Sequence, residues 1–412
     1  MIRIISSDKV GPLLTRRAAR MSEAETAVRP ILEAVRRRGD KAVAEYARRF
    51  DGLKGSQLEV PASVLAQAGL TPELKRAVRT ASANIRAYAK LQLPVAKSVT
   101  PATGVRLSQI VRPLDCVAAY IPSGRYPLPS TLMMTVIPAQ VAGVTTICAA
   151  SPNPSGVILG TAAYLKVNRL FQVGGAHAIA AFAFGTKTFP RADRIVGPGS
   201  IWVAAAKKMI CGETGIDFVA GPTEILIIAA EGTPHWIAAD MLAQAEHDTD
   251  ASAILLTTSR LLADAVAWEI QRQLETLPTA AVARKAIGKN SAIVIVKSID
   301  EAVELSNRFA PEHLSIDDPK LLPGIRHAGS VFVGEFSPEA AGDYASGPNH
   351  VLPTGGVARL RGGLSAADYV KVISVQQLSR AALRKLAPAI VPLARAEGLE
   401  AHARSVEVRV RG

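Results

Sequence analysis

Short apolar segments that alternate with helical segments constrain the fold of this chain more than any other feature. Residues 116–121 and 145–150 have the composition of buried strands, and residues 129–142 between them have a helical spacing of apolar side chains. A two-residue turn can join antiparallel strands, whereas a connection that contains a helix is typical of parallel strands. The pattern predicts parallel βαβ units, which continue through candidate strands at 170–173 and 194–196 and helices at 155–166, from Ala176 and at 201–209.

A second series of the same kind starts near Thr223. Its candidate strands are 225–229, 252–257, 292–296 and 330–333, and its helical segments are 234–246, 261–274 and 299–308. Two successive series of similar size predict a duplicated α/β architecture. The N-terminal segment has helical spacing, with one helix expected to open at Arg29-Pro30 and close at Gly39, and the C-terminal segment is helical and basic. A chain of 412 residues fits two or more domains.

The composition is that of a globular protein. Apolar residues make up 49% of the chain and charged residues 20%. No apolar segment reaches the roughly 18 residues that span a bilayer, and polar residues follow the N-terminal apolar residues too soon for a secretory signal. Cys116, Cys148 and Cys211 include no CxxC pair, so neither a disulfide framework nor a thiolate metal site is expected. We therefore expect a cytoplasmic protein without a membrane partner.

The formal net charge of +13 raises the question of a nucleic-acid partner. The basic residues are spread along helical segments, no aromatic residues are interleaved with them, and aromatic residues are only 5% of the chain. This pattern favours a solvated basic surface, or one that attracts an anionic cofactor, and no nucleic-acid partner is expected.

Four residues are candidates for metal binding or proton transfer by residue type and position. Gln244 and His247 share a face at the end of the helix that Thr233-Pro234 starts, so both can reach one metal ion. A histidine there is also typical of a helix-dipole partner. Pro311 ends another helix and leaves Glu312 and His313 at a loop-to-strand junction, where an adjacent acid and imidazole suit acid–base catalysis.

Two more candidates lie toward the C-terminus. Asp343 lies in residues 335–356, which are rich in Gly, Pro, Ser and Asn and predict a long functional or disordered loop. It is either a turn former or a carboxylate ligand. His402 lies in the basic tail, where a solvated side chain is the alternative.

Two glycine turns are candidate ligand sites. Gly174-Gly175-Ala176-His177 and Gly197-Pro198-Gly199-Ser200 each lie where a predicted strand ends and a helix begins. Glycine lets a ligand approach the backbone, and free helix N–H groups favour phosphate. Neither turn is GxGxxG, so plain tight turns are the alternative.

Taken in order, these motifs resemble those of the histidinol dehydrogenase family over almost the whole chain. Three matching segments contain candidates named above: QAEH at 244–247, APEHL at 310–314 and DYASGPNHVLPT at 343–354. The others are RPL at 112–114, YIP at 120–122, AQVAGV at 139–144, VGGA at 173–176, VGPG at 196–199, AGPTE at 220–224 and EGL at 397–399.

The resemblance implies a zinc- and NAD-dependent oxidation of L-histidinol, through the aldehyde, to L-histidine. The implied zinc ligands are Gln244, His247, Asp343 and His402. His313 would accept the alcohol proton in the first hydride transfer, and Glu312 would help to activate water before the second. Besides the zinc ligands, the implied substrate contacts are Thr223, His313 and Glu397.

The resemblance also implies an α/β fold with two incomplete Rossmann-like domains, mostly parallel three-layer sheets and helical termini. Residues 1–98 and 226–365 would form the first domain and 99–225 the second. Residues 366–412 would be a helical tail, swapped in a homodimer so that Glu397 and His402 act in the partner's site.

Three positions differ from the usual family pattern, all near the implied NAD contacts Tyr120, His177 and Ser200. Pro122-Ser123-Gly124 replaces Pro-Gly-Gly, His177 replaces glutamine and Ser200 replaces asparagine. Imidazole and hydroxyl groups still hydrogen-bond a ribose or a phosphate. Two alternatives therefore stand: a related dehydrogenase for another small polar alcohol, and a non-catalytic paralogue that binds zinc or a nucleotide.

Overall fold

The computed structural model describes residues 2–14, 19–123, 126–167 and 169–411. Its β-strands are β1 (Arg3–Ser6), β2 (Lys97–Ala102), β3 (Val105–Pro113), β4 (Cys116–Tyr120), β5 (Thr146–Ala150), β6 (Arg169–Phe171), β7 (Arg194–Val196), β8 (Gly215–Ile216), β9 (Glu224–Ile228), β10 (Ser252–Thr257), β11 (Ala292–Ile295), β12 (His313–Ile316), β13 (Ser330–Val333) and β14 (Val370–Leu378). Its α-helices are α1 (Gly11–Leu14), α2 (Ala19–Arg38), α3 (Asp40–Tyr46), α4 (Ala62–Gln67), α5 (Pro72–Leu91), α6 (Pro129–Ala142), α7 (Gly156–Tyr164), α8 (Gly175–Phe184), α9 (Ile201–Ile210), α10 (Pro234–Ala245), α11 (Arg260–Leu274), α12 (Ala280–Asn290), α13 (Ile299–Phe309), α14 (Glu339–Tyr344), α15 (Arg380–Ala396) and α16 (Glu400–Val410).

The chain divides into two compact units, the first within Met1–Gln92 and Asp115–Tyr369 and the second within Leu93–Leu114 and Val370–Gly412. The first unit contains two parallel sheets, with strand orders β1-β11-β10-β9-β12-β13 and β6-β5-β4-β7-β8. Every residue of β4 and of β9 is buried, as expected for parallel strands covered by helices on both faces. The predicted α/β fold with mostly parallel sheets and helical termini is confirmed. The predicted domain boundaries stay a prediction.

Sheet register determines which residues meet at each edge of the six-stranded sheet. His313 at the start of β12 pairs with Ile225 at the start of β9, and both strands run in the same direction. Helix α10 follows β9 and returns across the sheet, so its last turn lies near the amino ends of these strands. Residues just before β9, at the start of β12 and at the end of α10 are thereby brought to one edge.

The five-stranded sheet reverses its strand order beside β4. The chain adds β5 and β6 on one side of β4, then β7 and β8 on the other. Such a reversal is a topological switch point, and ligands of open α/β sheets bind beyond the carboxyl ends of the strands there. Tyr120 ends β4 and Gly197 follows β7, so both lie at this switch point.

The second unit has an antiparallel sheet of order β14-β3-β2, together with the packed helix pair α15 and α16. The tail is helical from Arg380, but its first residues form β14, whose Val370 pairs with Pro113 and whose Leu378 pairs with Val105. Pairing along β3 outweighs the helical spacing that the sequence suggests for this segment.

Three local predictions near the termini and in the long loop are wrong. Helix α2 starts at Ala19 and continues through Pro30 rather than opening there. The N-terminal segment begins with β1, which adds to the six-stranded sheet beside β11. The loop predicted at 335–356 contains α14, so Asp343 lies on a helical turn rather than on a structureless loop.

Candidate active site

Thr223 links two of the candidate residues in a short chain of hydrogen bonds. Gln244 Nε2 donates to Thr223 Oγ1 at 2.7 Å, and Thr223 Oγ1 donates to Glu312 Oε2 at 2.5 Å. The backbone N–H of Glu224 donates to the same Glu312 oxygen at 3.0 Å. The last turn of α10, the residue before β9 and the residue before β12 are therefore held together by side-chain bonds.

His313 is buried, and its two ring nitrogens have different surroundings. Its Nδ1 lies 3.2 Å from the backbone oxygen of Glu224. A carbonyl only accepts, so Nδ1 carries a proton. Nε2 is buried without a hydrogen-bond partner in the described part of the chain, although it lies 3.6 Å from Asp343 Oδ1. In the neutral ring this nitrogen is the one that accepts a proton.

Carboxyl groups determine the protonation of this cluster. Burial alone would lower the pKa of His313, but Glu312, Asp343 and Glu339 raise it to about 10. Burial raises the pKa of Glu312 despite His313 and the bonds from Thr223 and Glu224. A buried acid and a buried imidazole with shifted pKa values are typical of acid–base catalysis. Without a further cation the imidazole is charged, whereas positive charge nearby favours its neutral form.

Three of the candidate metal ligands, Gln244, His247 and Asp343, lie in the first unit. Gln244 is fully buried, and its Oε1 has no hydrogen-bond partner among the described residues. His247 Nδ1 lies 2.9 Å from the backbone oxygen of Ala243, which leaves Nε2 facing Asp343 Oδ2 at 4.0 Å. Within the described ranges, no group of three His, Cys, Asp or Glu side chains is placed to hold a metal ion.

His350 supports the helical turn that carries Asp343, and its role was not predicted from the sequence. Its Nδ1 lies 2.9 Å from the backbone oxygen of Asp343, and its Nε2 lies 3.1 Å from Thr131 Oγ1. Burial lowers the pKa of His350, so its neutral form is favoured. The only sequence signal was its place in the motif that follows Asp343.

Glu339 was also missed, because a glutamate in a segment expected to be a loop gives no sign of burial. It lies one helical turn before Asp343 and is 2% exposed. Neither of its carboxyl oxygens has a hydrogen-bond partner in the part of the chain described here. Burial raises the pKa of Glu339 well above its ordinary value, which favours the neutral acid.

The structure places Glu397 and His402 in the second unit. Glu397 follows the last residue of α15, His402 lies on α16, and both are exposed. The first unit, taken by itself, thus brings together Thr223, Gln244, His247, Glu312, His313 and Asp343 but not these two residues.

The three candidate cofactor contacts lie near the switch point of the five-stranded sheet. Tyr120 Oη accepts a hydrogen bond from Gly175 N at 3.1 Å, and burial raises the pKa of Tyr120 to about 12. Ser200 is exposed and precedes α9. His177 is only 1% exposed, with Nε2 2.8 Å from Asp51 Oδ2. Ser123 Oγ donates to the backbone oxygen of Pro152, and Gly124 lies outside the described residues.

The α/β fold and the residues at the edge of the six-stranded sheet define a class of protein: an α/β enzyme with a buried acid–imidazole pair, Glu312 and His313. A sequence model of histidinol dehydrogenase matches residues 14–410. Histidinol dehydrogenase of Geobacillus kaustophilus is 48% identical over 401 residues, which cover 94% of each chain. Histidinol dehydrogenase of Syntrophotalea carbinolica is 45% identical to this chain, and the alignment covers 100% of both chains. The crystal structure of histidinol dehydrogenase from Elizabethkingia anophelis superimposes on this chain with a TM-score of 0.95 at 34% sequence identity. The superposition covers 100% of this chain and 98% of the Elizabethkingia chain.

The chain belongs to the histidinol dehydrogenase family and is an oxidoreductase. In the described residues, no helix is both long enough and apolar enough to cross a membrane.

Proposed function

We propose that this protein oxidises L-histidinol through L-histidinal to L-histidine, as the last steps of histidine biosynthesis, with zinc and NAD. The observation that carries the proposal is the buried His313, whose Nε2 has no hydrogen-bond partner among the described residues and lies 3.6 Å from Asp343 Oδ1. A proton acceptor thus lies beside a candidate metal ligand, an arrangement that suits metal-assisted oxidation of an alcohol.

The donor atoms fit a zinc ion. Gln244 supplies a buried oxygen whose amide is oriented by Thr223, His247 supplies Nε2, and Asp343 supplies a carboxylate. Mixed nitrogen and oxygen ligands suit a catalytic zinc with room for substrate. When bound there, zinc would orient the imidazole and amine of the substrate, and its charge would oppose protonation of His313.

Two protein groups divide the proton transfers. His313 Nε2 accepts the hydroxyl proton as the alcohol carbon loses a hydride, because Nδ1 is already committed to the Glu224 carbonyl. Glu312 takes a proton from water as the water oxygen adds to the aldehyde carbon. The resulting diol then loses the second hydride. The hydrogen bonds from Thr223 and Glu224 hold one Glu312 oxygen and so orient the carboxyl group.

The switch point of the five-stranded sheet is the proposed NAD site. The donor set fits the cofactor, because Ser200 exposes a hydroxyl at the start of α9, beside Tyr120 and the Gly197 turn. When bound, NAD would accept one hydride in each oxidation. Tyr120 and Ser200 are the proposed contacts of NAD.

We also propose a homodimer in which Glu397 and His402 complete the partner's site. Gln244, His247 and Asp343 make an incomplete ligand set, and the two tail residues are exposed on their own unit. A fourth ligand from a second copy would complete it.

The proposed location is the cytoplasm. The free cysteines Cys116, Cys148 and Cys211 support a reducing compartment.

Zinc-loaded protein incubated anaerobically with L-histidinol and excess NAD tests the reaction. Two NADH per histidinol consumed are expected, with loss of turnover on chelation and recovery with zinc. Other small polar amino alcohols serve as competing substrates. Faster turnover of one of these, or no NADH at all, would reject the proposal.

Mixed dimers test the shared site. Activity is scored as histidine formed, which requires both oxidations. His402→Ala and Glu312→Gln proteins, each expected to form almost no histidine alone, are co-expressed with different tags, and the dimer that carries both tags is isolated. If the tail acts on the partner, one of the two sites combines the intact Glu312 of the His402→Ala chain with the intact tail of the Glu312→Gln chain. The other site carries both changes, so about half of the parent activity is expected. An inactive mixed dimer means that each tail serves its own chain.

A further inference from the structure

Tyr120 lies between two glycine turns that are each held from inside the protein. On one side, Gly175 N donates to its hydroxyl at 3.1 Å. On the other, Gly197 has φ +113°, and a side chain there would collide with the Tyr120 backbone carbonyl. The placement of the two turns therefore determines what Tyr120 and Ser200 present to a ligand at the switch point.

An internal carboxylate occupies the first turn. Asp51 Oδ2 accepts from Gly174 N at 2.8 Å and from His177 Nε2, also at 2.8 Å. Gly174 precedes the first residue of α8, so Asp51 lies where the helix dipole favours an anion. A ligand phosphate at this helix start would have to displace a side chain that is only 8% exposed.

Two aromatic rings lie beside the imidazole of His177. Its centroid lies 6.1 Å from that of Tyr46 and 6.3 Å from that of Phe50. The ring is 1% exposed, so a direct contact with a dissociable cofactor requires it to leave this packing. Its hydrogen bond to Asp51, in contrast, already exists and acts on the same turn that donates to Tyr120.

The second turn is held in the same way by a different pair. Lys207 Nζ donates to the Gly197 carbonyl at 3.0 Å, and Asp217 Oδ2 accepts from Gly197 N at 2.7 Å. Lys207 and Asp217 also form an ion pair with side chains 3% and 0% exposed. A buried ion pair is weak evidence for net stability, but the hydrogen bonds of this pair to both backbone groups of Gly197 hold the turn directly.

We propose that His177 is a positioning residue for NAD binding that acts through Asp51, rather than a residue that contacts the cofactor. It keeps the Asp51 carboxylate on Gly174, and thereby keeps Gly175 on the Tyr120 hydroxyl. The proposal rests on the proposed NAD site at this switch point.

A double-mutant cycle on the dissociation constant for NAD tests this role. His177→Phe keeps an aromatic ring but cannot donate to Asp51, and Asp51→Asn weakens the acceptor. Each variant is expected to bind NAD on the order of tenfold more weakly, and the double variant no more weakly than the worse single variant, because both changes remove one interaction. NAD binding is measured by calorimetry on zinc-loaded protein, alongside kcat and the KM values for both substrates.

The matched control is His177→Gln, which retains an N–H donor for Asp51. Its dissociation constant for NAD is expected to stay within about threefold of the parent. Unchanged kcat and unchanged KM for histidinol in His177→Phe separate positioning of the cofactor from a general loss of structure. Additive effects in the cycle, no change in either single variant, or marked tightening in His177→Gln would each overturn the proposal. Parent protein that does not bind NAD refutes the cofactor site itself, which is a separate outcome.

Discussion

The Thr223 hydroxyl donates its proton to Glu312 across 2.5 Å and, from the other side, accepts from Gln244. One small side chain therefore orients both a proposed base and a proposed metal ligand. Groups that orient ligands commonly affect metal affinity or activity as much as some ligands do.

Thr223→Val is expected to lower kcat/KM by about 10- to 100-fold, because it keeps the shape but removes both hydrogen bonds. Thr223→Ser keeps the hydroxyl and is expected to retain most activity. Steady-state kinetics and zinc content of both proteins are the measurements. Equal activity of the valine and serine variants would show that the hydroxyl has no orienting role.

Glu312→Gln should slow the second oxidation more than the first. The amide oxygen still accepts from Thr223 and from Glu224 N, but the side chain cannot take a proton from water. Histidinal then accumulates, and the yield falls from two NADH per histidinol toward one. A carbonyl-trapping reagent detects the aldehyde. Parent-like kinetics in both steps would exclude Glu312 as the base.

His247→Ala and Asp343→Ala should lose zinc and activity together. Both residues offer an atom to the same space, with His247 Nε2 4.0 Å from Asp343 Oδ2. His235→Ala is the matched control, since His235 lies on α10, the helix that ends two residues before His247, but is half exposed and pairs with Glu269. Zinc is measured by elemental analysis after dialysis. One zinc per chain in both site variants would make the ligand assignment wrong.

Features with local periodicity were predictable from the sequence. The strands around Tyr120 and Ile225 and the helix end that carries Gln244 follow from apolar spacing and from proline and glycine signals. The position of Glu312 and His313 before and at the start of a strand was predicted from Pro311 alone. These signals depend only on neighbours in the chain.

Features that depend on residues distant in sequence were not predictable. The Gly174 turn offers free N–H groups when considered alone, but Asp51 fills it from a segment 123 residues earlier. His177 has the chemistry of a cofactor contact, yet it is 1% exposed and hydrogen-bonded to Asp51. Glu339 gives no sign of burial in the sequence because only the tertiary fold buries it.

Lys207→Met should lower the free energy of unfolding by about 3–5 kcal/mol, because it leaves the buried Asp217 without its cation. Lys208→Met is the matched control. Its ammonium group pairs with Glu25 on the surface, where such a pair contributes about 1 kcal/mol or less. Urea unfolding at one pH and one protein concentration compares them. Equal losses in the two variants would mean that the interior pair does not hold the turn.

Asp240→Asn should stabilise the protein at neutral pH and have little effect in acid. Burial raises the pKa of Asp240 to about 6 from an ordinary value of 3.8. The folded state therefore binds this proton more tightly than the unfolded state, and the free energy of unfolding falls as pH rises through that interval. Asparagine removes this dependence, with a gain of at most about 3 kcal/mol at pH 7 and above, from a shift of roughly two units.

The exposed Asp264, which pairs with Arg260 on the surface of α11, provides the control for this pH dependence. Urea unfolding of parent, Asp240→Asn and Asp264→Asn is compared from about pH 4 to pH 8, which brackets the interval in which a buried aspartate titrates. The Asp240 carboxyl is neutral in the folded state at pH 4, so its replacement adds little stability there. The gain in stability grows with pH as the parent has to ionise this half-buried group. If the free energy of unfolding of Asp240→Asn rose equally at every pH, the gain would come from packing. That result would mean that desolvation of Asp240 does not limit stability at neutral pH.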